Sequence, residues 1–368
     1  MENKSIIISS IIGLLIIIGL AIYFFYPTNL SPETKETCNQ LYSNPSASIN
    51  LLFFASENQT KEYIDYLLST SPLNKLKESF NVFYIDEKIE CEYYKEIALY
   101  CYSRDLIRKA SACPNDYIFV LNEDQERIRS SSYLNVMSIN TKNPKSVITH
   151  EFSHSFANLA EEYTPANLPR NVKNCVKDCS EFNELNEGCF QGCSESNYYR
   201  SIDSGLMKTL YSTSLGKFNE FLIESKIKTS SGKTITGNAI QSETNCENQF
   251  YYLISANYSS GSLTINDRHI EQGCTGKNGE GSFSFNILNE NFETLAEDSF
   301  NPELIFTDSQ QSGEEEISGE TYNYEGELYI RIPTLESAKT LEIYDKTLDK
   351  KIATLQIDNI DGRPCKIE

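Results

Sequence analysis

The chain has 368 residues and a formal net charge of -20, and 39% of its residues are hydrophobic. This length predicts two folded units rather than one, with enough apolar side chains for a sizeable core. The acidic charge argues against nucleic acid as a partner, because phosphate binding relies on clustered Lys and Arg side chains.

The N-terminal segment contains an uncharged apolar run at residues 6–26, with Lys4 before it and aromatic residues at its end. A helix needs about 20 such residues to cross a bilayer. We therefore expect a transmembrane signal anchor at residues 1–27 and a polar tether at 28–47. The alternative is a cleaved signal peptide, whose apolar core is shorter, about 7 to 15 residues. The anchor predicts a single-pass membrane protein with a cytoplasmic N-terminus and the rest of the chain extracellular.

Four apolar runs predict buried strands in the first half of the chain, at residues 49–54, 81–85, 117–121 and 132–140. Helical patterns separate these runs, and such alternation is typical of an α/β layer. We assign this layer to a domain at residues 48–228.

The last third of the chain has a different pattern. Short segments with alternating apolar and polar residues are separated by Gly, Asn and Asp, which is typical of an all-β sandwich. We assign this sandwich-like domain to residues 244–368. The polar stretch at 229–243 is the predicted linker between the two domains.

A predicted helix in the segment 144–163 carries the sequence His-Glu-Phe-Ser-His at residues 150–154. His150 and His154 lie one turn apart on the side of the helix opposite its apolar stripe, so both imidazoles can reach a single zinc ion. Glu151 can then act as general base toward a water molecule. The alternative is a helix that merely carries surface histidines. The third histidine, His269, is predicted to be a surface residue.

A third zinc ligand must come from beyond the helix, because residue 161 on a straight helix would lie too far from His154 to share its metal. Asn158 is the best turning point, since asparagine readily adopts the left-handed conformation. Glu161 is then the predicted ligand and Glu162 the neighbouring alternative. The other interpretation of both residues is a solvated acidic loop.

Eleven cysteines are spread over the chain outside the apolar run, which favours disulfides in an oxidising compartment. The most regular group lies in the segment 171–197, as two pairs with four-residue spacing. We predict a hairpin of two antiparallel helices, with Cys175 bonded to Cys193 and Cys179 to Cys189. The alternative is a structural zinc held by these four cysteines. The other seven are odd in number, so at least one has no partner within the chain.

The run HEFSHSFANLAEEY at residues 150–163 resembles the signature H-E-x-G-H-S-x-G-G-L-x-D-E-Y of the IgA-peptidase family, a metzincin-like group of zinc metallopeptidases. The segments 49–54, 80–86 and 115–121 are similar to that family's successive core strands, and the resemblance extends over residues 49–224. It implies an α/β metzincin-like protease domain, with a mixed twisted sheet and an active-site helix.

The same resemblance implies roles for other residues. Met207, in the run Ser-Gly-Leu-Met at 204–207, would lie beneath the metal without binding it. A peptide substrate would lie antiparallel along residues 132–140. The sequence departs from the signature at four positions, Ser153, Ala157, Asn158 and Glu161. The resemblance implies no immunoglobulin specificity.

These observations predict a membrane-anchored extracytoplasmic zinc metalloendopeptidase, a hydrolase that acts on protein or peptide substrates with Glu151 as general base. One alternative is a catalytically silent, zinc-containing surface binding or adhesion protein. Another is a surface scaffold that contains no metal.

Overall fold

The computed structural model describes residues 37–232, 246–311 and 317–357. The described residues, from Thr37 onward, form one compact unit. The predicted anchor at residues 1–27 and the first part of the tether lie outside the described residues. Within the described ranges, no helix has both the length and the apolar character needed to span a bilayer. Residues 39–42, which we expected in the tether, form a strand.

The described residues contain nineteen strands. In chain order these are β1 Asn39–Tyr42, β2 Ile49–Phe54, β3 Phe80–Ile85, β4 Glu92–Tyr94, β5 Ala98–Tyr100, β6 Tyr117–Asn122, β7 Ser130–Tyr133, β8 Val136–Asn140, β9 Phe190–Cys193, β10 Glu195–Arg200, β11 Phe250–Ser259, β12 Ser262–Gln272, β13 Phe283–Leu288, β14 Thr294–Phe300, β15 Leu304–Ser309, β16 Ser318–Asn323, β17 Gly326–Pro333, β18 Thr340–Asp345 and β19 Lys350–Gln356.

Helices are few in the same part of the chain. The α-helices are α1 Glu57–Leu67, α2 Arg104–Ala110, α3 Val147–Ala157 and α4 Lys217–Gly232. Short 3-10 helices occupy Leu73–Lys75, Lys77–Ser79, Cys179–Leu185 and Cys246–Asn248.

The largest sheet among the described residues has eight strands in the order β1-β3-β2-β6-β8-β7-β15-β16. Strands β2, β3, β6 and β8 run parallel to their neighbours in this group. Their apolar runs are almost fully buried, because both faces of this part of the sheet are covered. Strand β7 turns back antiparallel to β8 and carries β15 on its other edge.

The predicted fold class, an α/β metzincin-like domain with a separate all-β sandwich, is wrong. The structure is mostly sheet, and β15 and β16 from the predicted sandwich extend the first sheet itself. Two further sheets, β12-β11-β17 and β14-β13-β18-β19, share one hydrophobic core with a face of that sheet. Alternating patterns identify the strands, but they do not specify which sheet edge each strand joins.

Helix α3 packs on the opposite face of the eight-stranded sheet. Phe152 and Phe156 lie in the second large core and contact the rings of Tyr117 and Phe119 on β6. This contact fixes α3 across the sheet. It also sets the direction in which the histidines of the helix project.

The strand predicted at residues 132–140 is a tight hairpin instead. Strands β7 and β8 pair antiparallel through Tyr133 and Val136, and Leu134 between them has a φ of 52°. A reversal this short leaves little sequence signal, because its left-handed residue is a leucine rather than glycine or asparagine.

Five disulfides link the cysteines of the described residues. The predicted pairs Cys175–Cys193 and Cys179–Cys189 are both present. The predicted pair of helices is wrong, since this region contains a 3-10 helix followed by the ribbon β9-β10. The other bonds are Cys38–Cys113, Cys91–Cys101 and Cys246–Cys274, and Cys365 lies outside the described residues. These bonds indicate an extracellular or secreted protein.

The shared sheet makes a prediction for stability. Ile305 on β15 is fully buried in the core that joins the two parts of the chain. Replacing Ile305 with Ala should lower the free energy of unfolding by about 2 to 5 kcal/mol, because the change leaves a cavity. Denaturant unfolding should show one transition with a lower midpoint.

Leu348 is 64% exposed and serves as the control. Replacing Leu348 with Ala should change the free energy of unfolding by no more than about 0.5 kcal/mol. Two separate transitions in the Ile305→Ala variant, with only one of them shifted, would contradict the shared core.

Candidate metal centre

Helix α3 ends at the position that the sequence predicted. Asn158 follows the helix with φ 51° and ψ 40°, in the left-handed region, and its backbone N–H donates to the carbonyls of the last turn. The chain therefore reverses direction after Asn158. This reversal brings Glu161 back to the histidines of the helix.

Four buried side chains come together at this turn and form the candidate metal centre, His150, His154, Glu161 and Asp308. Their ligand atoms all lie within 4.8 Å of one another. The Nε2 atom of His154 is 3.0 Å from Glu161 Oε1 and 3.1 Å from the Nε2 atom of His150. His150 Nε2 is 3.5 Å from Glu161 Oε2 and 3.4 Å from Asp308 Oδ2.

Backbone carbonyls orient both histidines. The Nδ1 atom of His150 lies 3.0 Å from the Leu206 carbonyl oxygen, and that of His154 lies 2.6 Å from the Leu159 carbonyl oxygen. A carbonyl only accepts, so Nδ1 carries the proton in each ring. In the neutral rings both Nε2 atoms therefore present lone pairs to one another. Metal-binding histidines are commonly oriented by such bonds.

Charge in this centre is unbalanced without a cation. Burial opposes protonation of His150, but Glu161 and Asp308 outweigh it and hold the pKa of His150 well above its usual value. Burial raises the pKa of Asp308, and the negative charge of Glu161 raises it further. The site thus attracts positive charge, either as protons or as a metal ion.

The oxygen atoms of the centre support a metal ion over protons alone. When both rings are neutral at Nε2, the carboxylate oxygens of Glu161 and the Oδ2 atom of Asp308 have no hydrogen-bond donor among the described residues, and the polar atoms they face are the Nε2 atoms of the two histidines. Buried carboxylates without partners are costly, and coordination of a metal ion is one of the few ways to offset that cost. Two imidazoles and two carboxylates form a donor set that suits a divalent metal.

Asp308 was missed by the sequence analysis, which confined the ligands to the motif region. It lies on β15, and its Oδ1 atom accepts a hydrogen bond of 3.0 Å from the Tyr163 hydroxyl. The residue stands in the run Phe-Thr-Asp-Ser, which matches no metal-ligand pattern. Only the pairing of β15 with β7 brings it to the histidines.

Glu151 lies beside the centre and is also fully buried. Neither of its carboxylate oxygens has a hydrogen-bond partner among the described residues. Burial raises the pKa of Glu151 well above its usual value, and the nearby Asp308 adds to this effect. The side chain thus stands next to the candidate metal centre without a structural partner.

Glu162, the alternative ligand, points elsewhere. Its Oε1 atom accepts hydrogen bonds from the side-chain amides of Asn219, at 2.8 Å, and Asn174, at 3.4 Å. Burial raises the pKa of Glu162 to about 7. Among the two acidic candidates, the structure therefore brings only Glu161 to the histidines.

Met207 is fully buried in the same core as α3. Its backbone carbonyl accepts from the N–H of Glu162 at 2.9 Å, and the preceding Leu206 carbonyl holds His150. The backbone of this turn therefore connects the helix to the acidic segment. The role beneath the metal stays a prediction.

The side of α3 opposite its apolar stripe, where the sequence placed the histidines, is covered in the structure. His150 and His154 are 0% and 3% exposed, because β15 covers the side of α3 that carries them. The ring of Phe306 stacks on His154 at 3.9 Å between centroids. A crevice of about 20 Å³ remains beside His154, between Ser132, Ser155 and Phe306. The helical pattern indicated a polar face, but it could not indicate what covers that face.

No protein-family model and no curated protein sequence matches this chain.

The geometry predicts metal-dependent stability. A divalent metal ion that binds this group in the folded state, supplied at about 100 times its dissociation constant, should stabilise the protein by about 2.7 kcal/mol. Replacing His154 with Ala should abolish this gain, as measured by thermal unfolding with and without zinc. Replacing His269 with Ala is the matched control, since His269 lies on β12 away from the centre. Equal stabilisation of the His154→Ala and His269→Ala variants by zinc would contradict the assignment of His154 as a metal ligand.

The two adjacent glutamates give a second prediction. Replacing Glu161 with Gln should weaken the binding of a divalent metal ion, with zinc as the probe, because a neutral amide is a poorer ligand than a carboxylate. Replacing Glu162 with Gln should preserve zinc binding, since an amide oxygen can still accept from Asn174 and Asn219. Isothermal titration calorimetry measures the metal affinity of both variants. Weaker binding by Glu162→Gln than by Glu161→Gln would identify Glu162 as the ligand.

Proposed function

We propose that the protein is an extracytoplasmic zinc-dependent hydrolase of peptide bonds. The observation that carries this proposal is Glu151, a buried carboxylate next to the metal-ligand group with no hydrogen-bond partner among the described residues. A buried polar group without a hydrogen-bond partner lowers the stability of the folded protein by about 1 to 3 kcal/mol, and a charged group lowers it by more. A protein that only needed to hold a metal would gain nothing from this residue.

Zinc is the proposed metal because imidazole nitrogens and carboxylate oxygens are its usual ligands besides thiolates. His150, His154 and Glu161 would hold it. The resemblance of residues 150–163 to the signature of the IgA-peptidase family supports the same assignment. The disulfides support the extracytoplasmic location.

When bound, a zinc ion at this position acts as a Lewis acid and lowers the pKa of a coordinated water molecule. Glu151 would take a proton from the attacking water and pass it to the departing amine. Its position directly after His150 on α3 holds the carboxylate close to the ligand group. Its burial keeps bulk water from competing for that proton.

A second candidate is a structural metal site. The observation that favours it is Asp308, which gives the centre four protein side chains, and structural zinc sites have four protein ligands. A hydrolytic site keeps one position open for water. Hydrolysis therefore requires Asp308 to leave the position in which it lies in this structure.

The test combines changes at Glu151 and Asp308. The Asp308→Ala variant, loaded with zinc, should hydrolyse peptides from a broad library faster than the natural chain, because it frees a metal position and removes side-chain contacts that hold β15 in place. Mass spectrometry of the products measures both rates. Adding Glu151→Gln should reduce the rate at least about 10²-fold with zinc content unchanged, because an amide cannot accept a proton from water and pass it to the leaving amine. Equal rates with and without Glu151 would contradict its role. If neither the natural chain nor the Asp308→Ala variant hydrolyses any peptide while zinc is bound, the structural site is the better account.

A further inference from the structure

We infer that strand β15 occupies the groove in which a peptide substrate binds, and that Asp308 blocks the metal position needed for hydrolysis, so that the folded protein is inactive until β15 is displaced. This inference rests on the proposed function. It adds to that function a built-in inhibitor, supplied by the chain itself.

The first argument is the way in which β15 joins the sheet. It pairs antiparallel with β7, with Phe306 opposite Ser132 and Asp308 opposite Ser130. Without β15, strand β7 would be an open sheet edge, with unpaired backbone groups beside α3. Extended peptides bind to such edges by adding a strand. Strand β15 therefore has the position and form of a bound peptide.

The second argument is the direction of its side chains. Residues two apart on a strand point to the same face of the sheet. Phe306 stacks on the ring of His154, and Asp308 reaches His150 from the same face. The strand thus presents one ring and one carboxylate to the two histidines. No peptide can reach the histidines while β15 is in place, because their side chains are only 0% and 3% exposed.

The third argument is that the surrounding residues are shaped to hold Asp308. Its Oδ1 atom accepts from the hydroxyl of Tyr163 at 3.0 Å. Gly319 lies directly opposite on β16, and a Cβ atom there would collide with the Asp308 carboxylate and the Tyr163 hydroxyl. The absence of a side chain at residue 319 makes room for this carboxylate.

The residue that follows β15, Gln310, is hydrogen-bonded to the loop at residues 206–210. The Oε1 atom of Gln310 accepts from the Thr209 hydroxyl at 2.9 Å and from the backbone N–H of Leu210 at 2.5 Å. The same loop contains Leu206, whose carbonyl orients His150. Displacement of β15 must therefore break contacts on both sides of the centre.

The test measures access to the metal rather than hydrolysis. Acetohydroxamate, a small metal-chelating anion, is titrated into the zinc-loaded natural chain and into the zinc-loaded Asp308→Ala variant. If β15 is displaced in less than about one tenth of the natural molecules, apparent binding is weakened at least about tenfold. We expect the variant to keep its zinc and to bind acetohydroxamate at least about tenfold more tightly.

The matched control is Asp345→Ala. Asp345 is also a buried aspartate of the C-terminal part, but it lies on β18 in another sheet and pairs with Arg170. This change loosens the fold without touching the metal, so it should leave acetohydroxamate binding as weak as in the natural chain. If Asp308→Ala fails to fold, Asp308→Asn takes its place, since the amide keeps nearly the same shape without the charge.

Three results would decide the matter. Loss of zinc in both Asp308 variants overturns the inference, because Asp308 would then be an essential ligand. Retained zinc with binding no tighter than in the natural chain also overturns it. Retained zinc with tighter binding supports the part of the inference that this experiment measures, namely that Asp308 blocks the metal position. If no peptide is hydrolysed in that case, it is the proposed hydrolase function that fails.

Discussion

The close approach of two histidine Nε2 atoms, 3.1 Å apart in a fully buried centre, is the constraint on which the rest of the structure depends. The Nδ1–H groups of both rings donate hydrogen bonds to backbone carbonyls, so the two Nε2 atoms face each other and two carboxylates. Such an arrangement is stable only around positive charge. The turn at Asn158 and the loop at Leu206 supply the backbone that maintains it.

The fold connects this centre to the C-terminal part of the chain. Strand β15 is at once a member of the eight-stranded sheet, a cover for α3 and the source of Asp308. The stability of the sheet and the binding of a metal ion at this centre would therefore be coupled. A ligand that binds the metal in place of Asp308 must also offset the loss of β15 pairing.

Glu151 and Asp308 favour opposite functions of one site. A structural centre needs Asp308 and has no use for the buried Glu151, whereas a hydrolytic centre needs Glu151 and an open metal position. A single chain can use both residues if Asp308 fills the fourth metal position in one state and leaves it, together with β15, in another. The space provided by Gly319 shows how closely Asp308 is fitted to its neighbours.

The sequence by itself determined the local features. The spacing of His150 and His154, the left-handed turn at Asn158 and the disulfide pairs Cys175–Cys193 and Cys179–Cys189 all follow from a few neighbouring residues, and the structure contains them. Only the tertiary structure decided that Asp308 joins the site and that β15 belongs to the first sheet. A strand pattern shows which residues are buried, but its partner is chosen by packing with residues far away in the chain.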